Sequence, residues 1–180
     1  DRTYRHLFAA QVVALLGTGL ATVALGLLAF DLAGENAAMV LGTVFAIKMV
    51  AYVGVAPVAA AFAGKVNRRA FLVVLDLVRA GVALCLPFVT EIWQVYGLIF
   101  VLQSASAAFT PTFQATIPDI LPDEAQYTRA LSLSRLAYDL ENIASPMLAG
   151  LLLAMVSYNA LFLGTVAGFA ASAMLFISVM

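Results

Sequence analysis

Charged residues are scarce in this chain, and their scarcity excludes a water-soluble domain. Only 11% of the 180 residues are charged, whereas 64% are hydrophobic, and the mean hydropathy is +1.03. A soluble domain of this length could not cover its surface with so few polar side chains. Cysteine is almost absent as well: Cys85 is alone, so the chain has no internal disulfide framework. The composition therefore predicts a protein whose solvent is lipid.

Catalytic and cofactor-binding motifs are also missing. The sequence has no glycine-rich phosphate loop, no GxSxG motif and no His, Cys or carboxylate cluster with metal-ligand spacing. It also lacks the basic patch that a nucleic-acid partner requires. We therefore predict that the protein is not an enzyme, that it has no metal site or resident cofactor, and that it binds no nucleic acid.

Long apolar runs dominate what is present. About 20 apolar residues suffice to cross a bilayer, and backbone amides in hydrocarbon must pair internally, which favours helices. Such runs cover residues 7–30, 39–62, 71–89, 92–113, 127–155 and 161–180. We predict an all-α membrane protein that folds as a single bundle of six transmembrane helices, with the fourth helix ending near Pro111.

Basic residues in the loops predict the orientation, because lysine and arginine are enriched in cytoplasmic loops. The loops on one side contain Arg2, Arg5, Lys65, Arg68, Arg69 and Arg129. The loops on the opposite side contain no lysine or arginine. Both termini are therefore expected in the cytoplasm, in a protein of the inner or plasma membrane. The chain begins with Asp1 and stops inside an apolar run, so we expect it to be part of a longer protein.

The few charges inside the runs are candidate functional groups, because ionised side chains at mid-depth in a bilayer are costly. Lys48 lies about 16 Å below the outer end of the second helix. It is interpreted as a cavity-facing charge, with a structural lysine bonded to backbone carbonyls as the alternative. Gln103, at mid-depth in the fourth helix, is a substrate-binding or interhelical hydrogen-bonding group.

The fifth helix carries most of these charges. Arg135 and Asp139 are four residues apart and are expected to pair, with Asn142, a cavity candidate, on the same face. Glu141 points about 200° away from Asp139 and is the first candidate for a proton-coupling site. Asp139 is the second candidate, and its expected partner Arg135 is the third; the alternative is that neighbouring helices engage both carboxylates. Lys48 and Glu141 have similar depths, and the sequence leaves open whether they pair.

Two patterns concern the arrangement of the helices. Asp76 and Arg79 are three residues apart near the inner end of the third helix, so they share a face. We predict an interfacial ion pair that also engages the basic loop before it. Pro57 and Pro146 interrupt the second and fifth helices at corresponding positions, which is typical of two three-helix repeats with inverted membrane orientation.

The connection between the fourth and fifth helices, FTPTFQATIPDILPDEAQYTRALSLSRL, is the most specific stretch. Together with the six apolar runs, it resembles the amino-terminal six-helix half of the major facilitator superfamily. The resemblance is to the twelve-span drug:proton antiporter type, in the branch of macrolide exporters and related siderophore or metal exporters. It covers the whole chain and implies that a second six-helix half completes the fold.

Three motifs of that family can be placed on the chain. The cytoplasmic loop motif falls on AAFAGKVNRR and matches at Lys65, Arg68 and Arg69. It departs from the family pattern at Gly64 and Asn67. In the helix-four motif, Phe100 replaces the arginine that the family uses in proton coupling. The helix-five antiporter motif, whose implied role is packing that limits leak, falls on Ser145, Pro146, Ala149 and Gly150.

The resemblance implies a function. The expected activity is export of a small amphipathic compound against proton entry, with two bundles rocking around a midplane site. The missing arginine in helix four favours an alternative, a facilitator or channel without a coupling ion. A further alternative is a self-assembling half-transporter or a membrane scaffold.

Overall fold

The computed structural model describes residues 2–178, which form an all-helical bundle without strands. Its α-helices are α1 (Arg2–Ala33), α2 (Ala37–Phe62), α3 (Arg68–Cys85), α4 (Ile92–Ile120), α5 (Glu124–Leu153) and α6 (Tyr158–Ile177). Within these helices, the side chains of Arg2, Thr22, Gly26, Phe30, Asn142, Pro146, Tyr158 and Asn159 lie outside the description. The prediction of an all-α protein is confirmed.

Short polar connections set the helix ends. A single 3-10 turn, Gly34–Asn36, joins α1 to α2, and Gly34 has φ of 52°, a left-handed conformation that favours glycine. Asn67 and Asp123 cap α3 and α5. Each side chain accepts a hydrogen bond from the backbone amide three residues later, at 3.2 and 2.9 Å respectively. These caps satisfy backbone donors that a helix start leaves unpaired.

The helix α1 lies at the centre of the bundle, where it packs against α6, α5 and α2. On the other side, α4 packs against α2 and α3, and α3 also packs against α6. Phenylalanines recur every seventh residue on α6, and the side chains of Phe162, Phe169 and Phe176 are all fully buried. Phe176 meets Phe109 of α4 edge to face, with ring centroids 5.9 Å apart. This aromatic stripe joins α6 to the core.

Small residues allow α1 and α6 to approach closely. A Cβ atom added at Gly168 would lie 3.3 Å from the Val13 carbonyl oxygen and 3.4 Å from the Gly17 Cα. Thr165 Oγ1 also donates a hydrogen bond across the interface to the Gly17 carbonyl oxygen, at 3.1 Å. Small residues serve here to bring backbones together, as in many membrane-embedded helix pairs.

The outer surface of the bundle is strongly apolar. Large hydrophobic side chains face outward on several helices, for example Val53 on α2, Trp93 on α4 and Met147 on α5. Four stretches are long and apolar enough to cross a membrane: Thr3–Phe62, Arg68–Phe88, Ile92–Ile120 and Ala160–Ile177. The first of these contains both α1 and α2. An apolar exterior of this kind is compatible with lipid or a packed neighbour and not with water.

The fourth helix does not end near Pro111. Instead α4 continues to Ile120, with Pro111 and Pro118 inside it. The hydroxyls of Thr112 and Thr116 donate hydrogen bonds to carbonyl oxygens one turn earlier, at 2.8 and 2.9 Å. A proline inside a membrane helix is tolerated where neighbouring helices and local backbone adjustments accommodate the freed carbonyl. The helix ends before Pro122, whose ring disfavours a helical conformation at the preceding residue.

We predict that Gly19→Ala destabilises the contact between α1 and α5. A Cβ atom at this position would overlap the Ser145 side chain, which is buried, and would lie 2.6 Å from a carboxylate oxygen of Glu141. Overpacking of this kind costs about 1–3 kcal/mol. The measurement is the unfolding temperature of the purified protein in detergent.

Gly164→Ala is the matched control, because its Cβ would meet only the end of the flexible Leu20 side chain, at 3.5 Å. We expect this variant to unfold close to the wild-type temperature. Equal unfolding temperatures for the two variants would contradict the packing described here.

Candidate functional site

A polar cavity of about 240 Å³ lies where five helices converge. Its wall consists of Ala14, Leu15 and Thr18 of α1, Lys48 and Tyr52 of α2, Arg79 of α3, Ser106, Phe109 and Thr110 of α4, and Tyr138 and Glu141 of α5. A narrow apolar extension shares part of this wall and reaches Gln103 of α4 and Phe169 of α6. A few convergent polar groups in an apolar setting are the usual composition of a ligand site.

Arg79 is buried in the wall of this cavity, with 3% of its surface exposed. Its guanidinium lies between the rings of Phe109 and Phe169, with the central carbon 4.2 and 4.5 Å from their centroids. Arg79 Nη2 donates a hydrogen bond to Oδ1 of the fully buried Asp76, and the Ser172 hydroxyl lies beside the same carboxylate. The ion pair and the ring contacts together offset the desolvation of the cation.

The Asp76–Arg79 pair therefore forms as the spacing predicts, but the expected link to the basic loop is not found among the described residues. Both side chains are in the core, and neither engages the basic loop. The rings and the hydroxyl that surround the pair come from α4 and α6. The spacing of charges along α3 gave no information on those neighbours.

The basic loop makes a different connection. Arg68 forms an ion pair with Asp119 near the end of α4 and donates two hydrogen bonds to backbone carbonyls, at 2.9 and 2.7 Å. Of the other loop-motif residues, Lys65 is exposed and Arg69 is half-buried. The loop is thus tied to α4 and lies apart from the polar cavity.

The two carboxylates of α5 have different environments. Glu141 is half-buried and lines the cavity, whereas Asp139 and Arg135 are both exposed. Among the residues that the structure describes, no ion pair joins Arg135 to Asp139, so the predicted pair is wrong. The basic residue precedes the acidic one, which is the weaker order for a pair four residues apart on a helix.

Lys48 and Glu141 line the same cavity. The lysine is half-buried, and its Nζ lies 5.9 Å from the centre of the Tyr52 ring. The ion pairs found within residues 2–178 do not include Lys48 or Glu141. The two charges therefore border one cavity without forming an ion pair. Gln103 is buried in the extension, and its Oε1 has no hydrogen-bond partner in the described part of the chain.

Hydrogen bonds tie α5 to the remainder of the bundle on both sides of the cavity. The Tyr138 hydroxyl is 2.6 Å from Thr110 Oγ1 of α4. On the side of α1, the fully buried Gln11 donates to Ser134 Oγ, at 2.5 Å. These contacts fix the orientation of the α5 face that carries Glu141.

Some residues of the antiporter motif lie on the buried side of α5, and one lies on its exposed side. Ser145 and Ala149 are buried, and Ser145 packs against Gly19 of α1. Gly150 is exposed, with no atom within 4 Å of an added Cβ. The side chains of Asn142 and Pro146, both predicted site residues, lie outside the described residues.

Several residues of the cavity were not predicted from the sequence. Tyr52, Thr110 and Tyr138 were overlooked, and Arg79 was placed elsewhere. The available signal was spacing: Tyr52 is one turn from Lys48, and Tyr138 is one turn from Glu141, on the faces that already carried candidate charges. No group of three metal-ligating side chains that could hold an ion occurs within residues 2–178.

The apolar exterior and the charged cavity are compatible with a membrane transporter, and a family comparison gives the class of the protein. Residues 7–180 match the Major Facilitator Superfamily, and the chain belongs to this family. Family membership indicates a transporter and not an enzyme. The chain is also similar to a protein of Bacillus subtilis (strain 168) named "Uncharacterized MFS-type transporter YfiS", with 29% identity over 158 residues. The match covers 87% of this chain but 37% of that relative's length. No solved structure matches the chain significantly.

We predict that Asp76→Asn is more harmful than removal of both charges of its pair. The single change leaves the Arg79 guanidinium buried without its counter-ion, which costs about 3–5 kcal/mol. In Asp76→Asn/Arg79→Gln, both charges are gone, and most of the stability should return. The unfolding temperatures of the two variants in detergent test this expectation.

Asp139→Asn serves as the control, because this aspartate is exposed and has no ion-pair partner among the described residues. Its unfolding temperature should stay near that of the wild type. A double variant less stable than Asp76→Asn would show that the pair does not balance a buried charge.

Proposed function

We propose that the chain is the amino-terminal half of a twelve-helix exporter, in which a small amphipathic compound leaves the cell in exchange for protons. In this proposal all six helices cross the inner or plasma membrane, as two inverted three-helix repeats, with both termini in the cytoplasm. A second six-helix half packs beside them, and alternating access arises when the halves rock around a midplane site. The match to 37% of the YfiS relative is compatible with a chain that supplies part of such a fold.

The observation that carries the proposal is the position of Glu141. It is the acidic side chain that reaches the cavity wall from α5, and Lys48 reaches the same cavity from α2. A carboxylate that is neutral when protonated and charged when deprotonated changes its attraction for a neighbouring cation. Proton binding at Glu141 therefore alters the electrostatic field of the cavity.

Exchange follows if protonation and substrate binding exclude each other at Glu141. When the cavity faces the cytoplasm, the carboxylate releases its proton and the compound binds. When the cavity faces the outside, a proton replaces the compound, which leaves. The polar groups that face Glu141 in this scheme are Lys48, Tyr52 and Tyr138, with Ser145 on its own helix. Asp139 and Arg135 are exposed on the outer side of α5, so we assign them no part in it.

We predict that Glu141→Gln abolishes proton-driven transport while the protein still folds. Glutamine retains the size of the side chain but cannot exchange a proton. In proteoliposomes that contain the full-length protein, a pH gradient should no longer accelerate transport, and the rate should fall to that measured without a gradient. Retained expression and an unchanged unfolding temperature would exclude misfolding as the cause.

Asp139→Asn is the matched control, since it removes a carboxylate from the same helix, two residues away, but outside the cavity. Its transport should keep the wild-type response to the pH gradient. Full gradient dependence in Glu141→Gln would remove this residue from the coupling mechanism.

An uncoupled facilitator is the second candidate function. It is favoured by Phe100, which occupies the position of the arginine that the resemblance assigns to proton coupling, and which is exposed on α4. A facilitator would equilibrate its substrate in the same proteoliposomes, and a pH gradient would not produce accumulation. A gradient-driven accumulation in the wild-type protein would exclude it. A measured mass in detergent would distinguish either candidate from a self-assembling half or a scaffold.

A further inference from the structure

Arg79 presents a fixed cation to the cavity. Its guanidinium cannot turn freely, because the Phe109 and Phe169 rings cover its two faces at 4.2 and 4.5 Å. Its counter-ion, Asp76, is fully buried and is not part of the cavity wall. The ion pair thus holds Arg79 at its place in the cavity wall.

One donor of Arg79 is not used by the protein. Nη2 donates to Asp76, but Nε is buried and meets no hydrogen-bond acceptor among the residues that the structure describes. A guanidinium offers its donors in a planar fork that matches a carboxylate or a similar oxyanion. Because Nε has almost no accessible surface, a ligand oxyanion would contact the part of this fork that lines the cavity.

The other charges of the cavity limit the net charge of that ligand. Lys48 and Arg79 are positive, and Asp76 and Glu141 are negative when ionised. The cavity and its buried counter-ion are therefore neutral as a set. Since uncompensated charge in a low-dielectric region is costly, a ligand with both a positive and a negative group fits better than an ion of either sign.

We propose that the transported compound is a zwitterion with an apolar body, whose oxyanion binds Arg79 and whose ammonium group binds Glu141. The ammonium part rests on the proposed exchange, in which the substrate replaces a proton at Glu141. The oxyanion part rests on Arg79 alone. The apolar body has a place against the apolar part of the cavity wall, which is formed by Ala14, Leu15 and Phe109.

Three probes with one apolar body test the proposal. These are 1-naphthylalanine, which is zwitterionic, 2-(1-naphthyl)ethylamine, which carries only the ammonium group, and 3-(1-naphthyl)propionate, which carries only the carboxylate. Their binding to the full-length protein in lipid nanodiscs is measured by calorimetry. We expect the zwitterion to bind at least about tenfold more tightly than either singly charged probe. Equal or tighter binding of a singly charged probe, or no binding of the zwitterion, would overturn the proposal.

Variants of Arg79 test whether the tighter binding of the zwitterion depends on this residue. Arg79→Lys retains the charge that balances Asp76 but removes the planar fork. We expect it to lose about tenfold in affinity for 1-naphthylalanine and to bind the ethylamine as the wild type does. Because that variant could fail to fold, Asp76→Asn/Arg79→Gln provides a second one, in which both buried charges are removed. Unchanged zwitterion affinity in either folded variant would show that Arg79 does not bind the oxyanion.

Arg129→Gln is the matched control, since it removes one positive charge from an exposed position at the start of α5. Its affinities for all three probes should equal those of the wild type. A failure of the proposed function can also be distinguished from a failure of the oxyanion site. If Glu141→Gln keeps gradient-driven transport, proton coupling through Glu141 is excluded, yet an effect of Arg79→Lys on the carboxylate-bearing probes would still support the oxyanion site.

Discussion

The burial of the Arg79 guanidinium constrains the remainder of the bundle. A cation in an apolar core is tolerated only when a counter-ion and polarisable groups surround it. Here Asp76 supplies the charge, while α4 and α6 supply the Phe109 and Phe169 rings on either side. Three helices must therefore meet at one point. The close approach of α1 to α6 at Gly17 and Gly168 brings the central helix to the same region. The packing of α4 and α6 against α3 is therefore needed to stabilise the buried Arg79 charge.

The cavity follows from that arrangement. With Arg79 held in place, the polar side chains of α2, α4 and α5 are arranged around one space of about 240 Å³. The Tyr138–Thr110 and Gln11–Ser134 contacts orient α5 so that Glu141 points inward and Asp139 outward. One carboxylate can thus respond to the contents of the cavity, and the other cannot.

The all-α class and the placement of Glu141 and Asp139 on different faces of α5 were predictable from the sequence, because both depend on local periodicity. Apolar run length indicates helices long enough to cross a bilayer, and the 100° step per residue separates Glu141 from Asp139. The end of α4 was misplaced, since a helix that packs against neighbouring helices can continue through a proline. The core position of Asp76 and Arg79 also escaped prediction. It depends on Phe109, Phe169 and Ser172, which come from helices that spacing on α3 cannot identify.

The central claim is that Lys48 and Glu141 face a polar space inside a bundle whose exterior contacts lipid. Single cysteines at these positions, in a Cys85→Ser background, can be exposed to a charged, membrane-impermeant thiol reagent in the full-length protein. Cysteines in place of Leu163 and Met174, which are exposed on α6, serve as the reference. We predict that the reagent labels the cysteines at positions 48 and 141 and leaves those at 163 and 174 unlabelled. Labelling on α6 with protection at 48 and 141 would contradict the account.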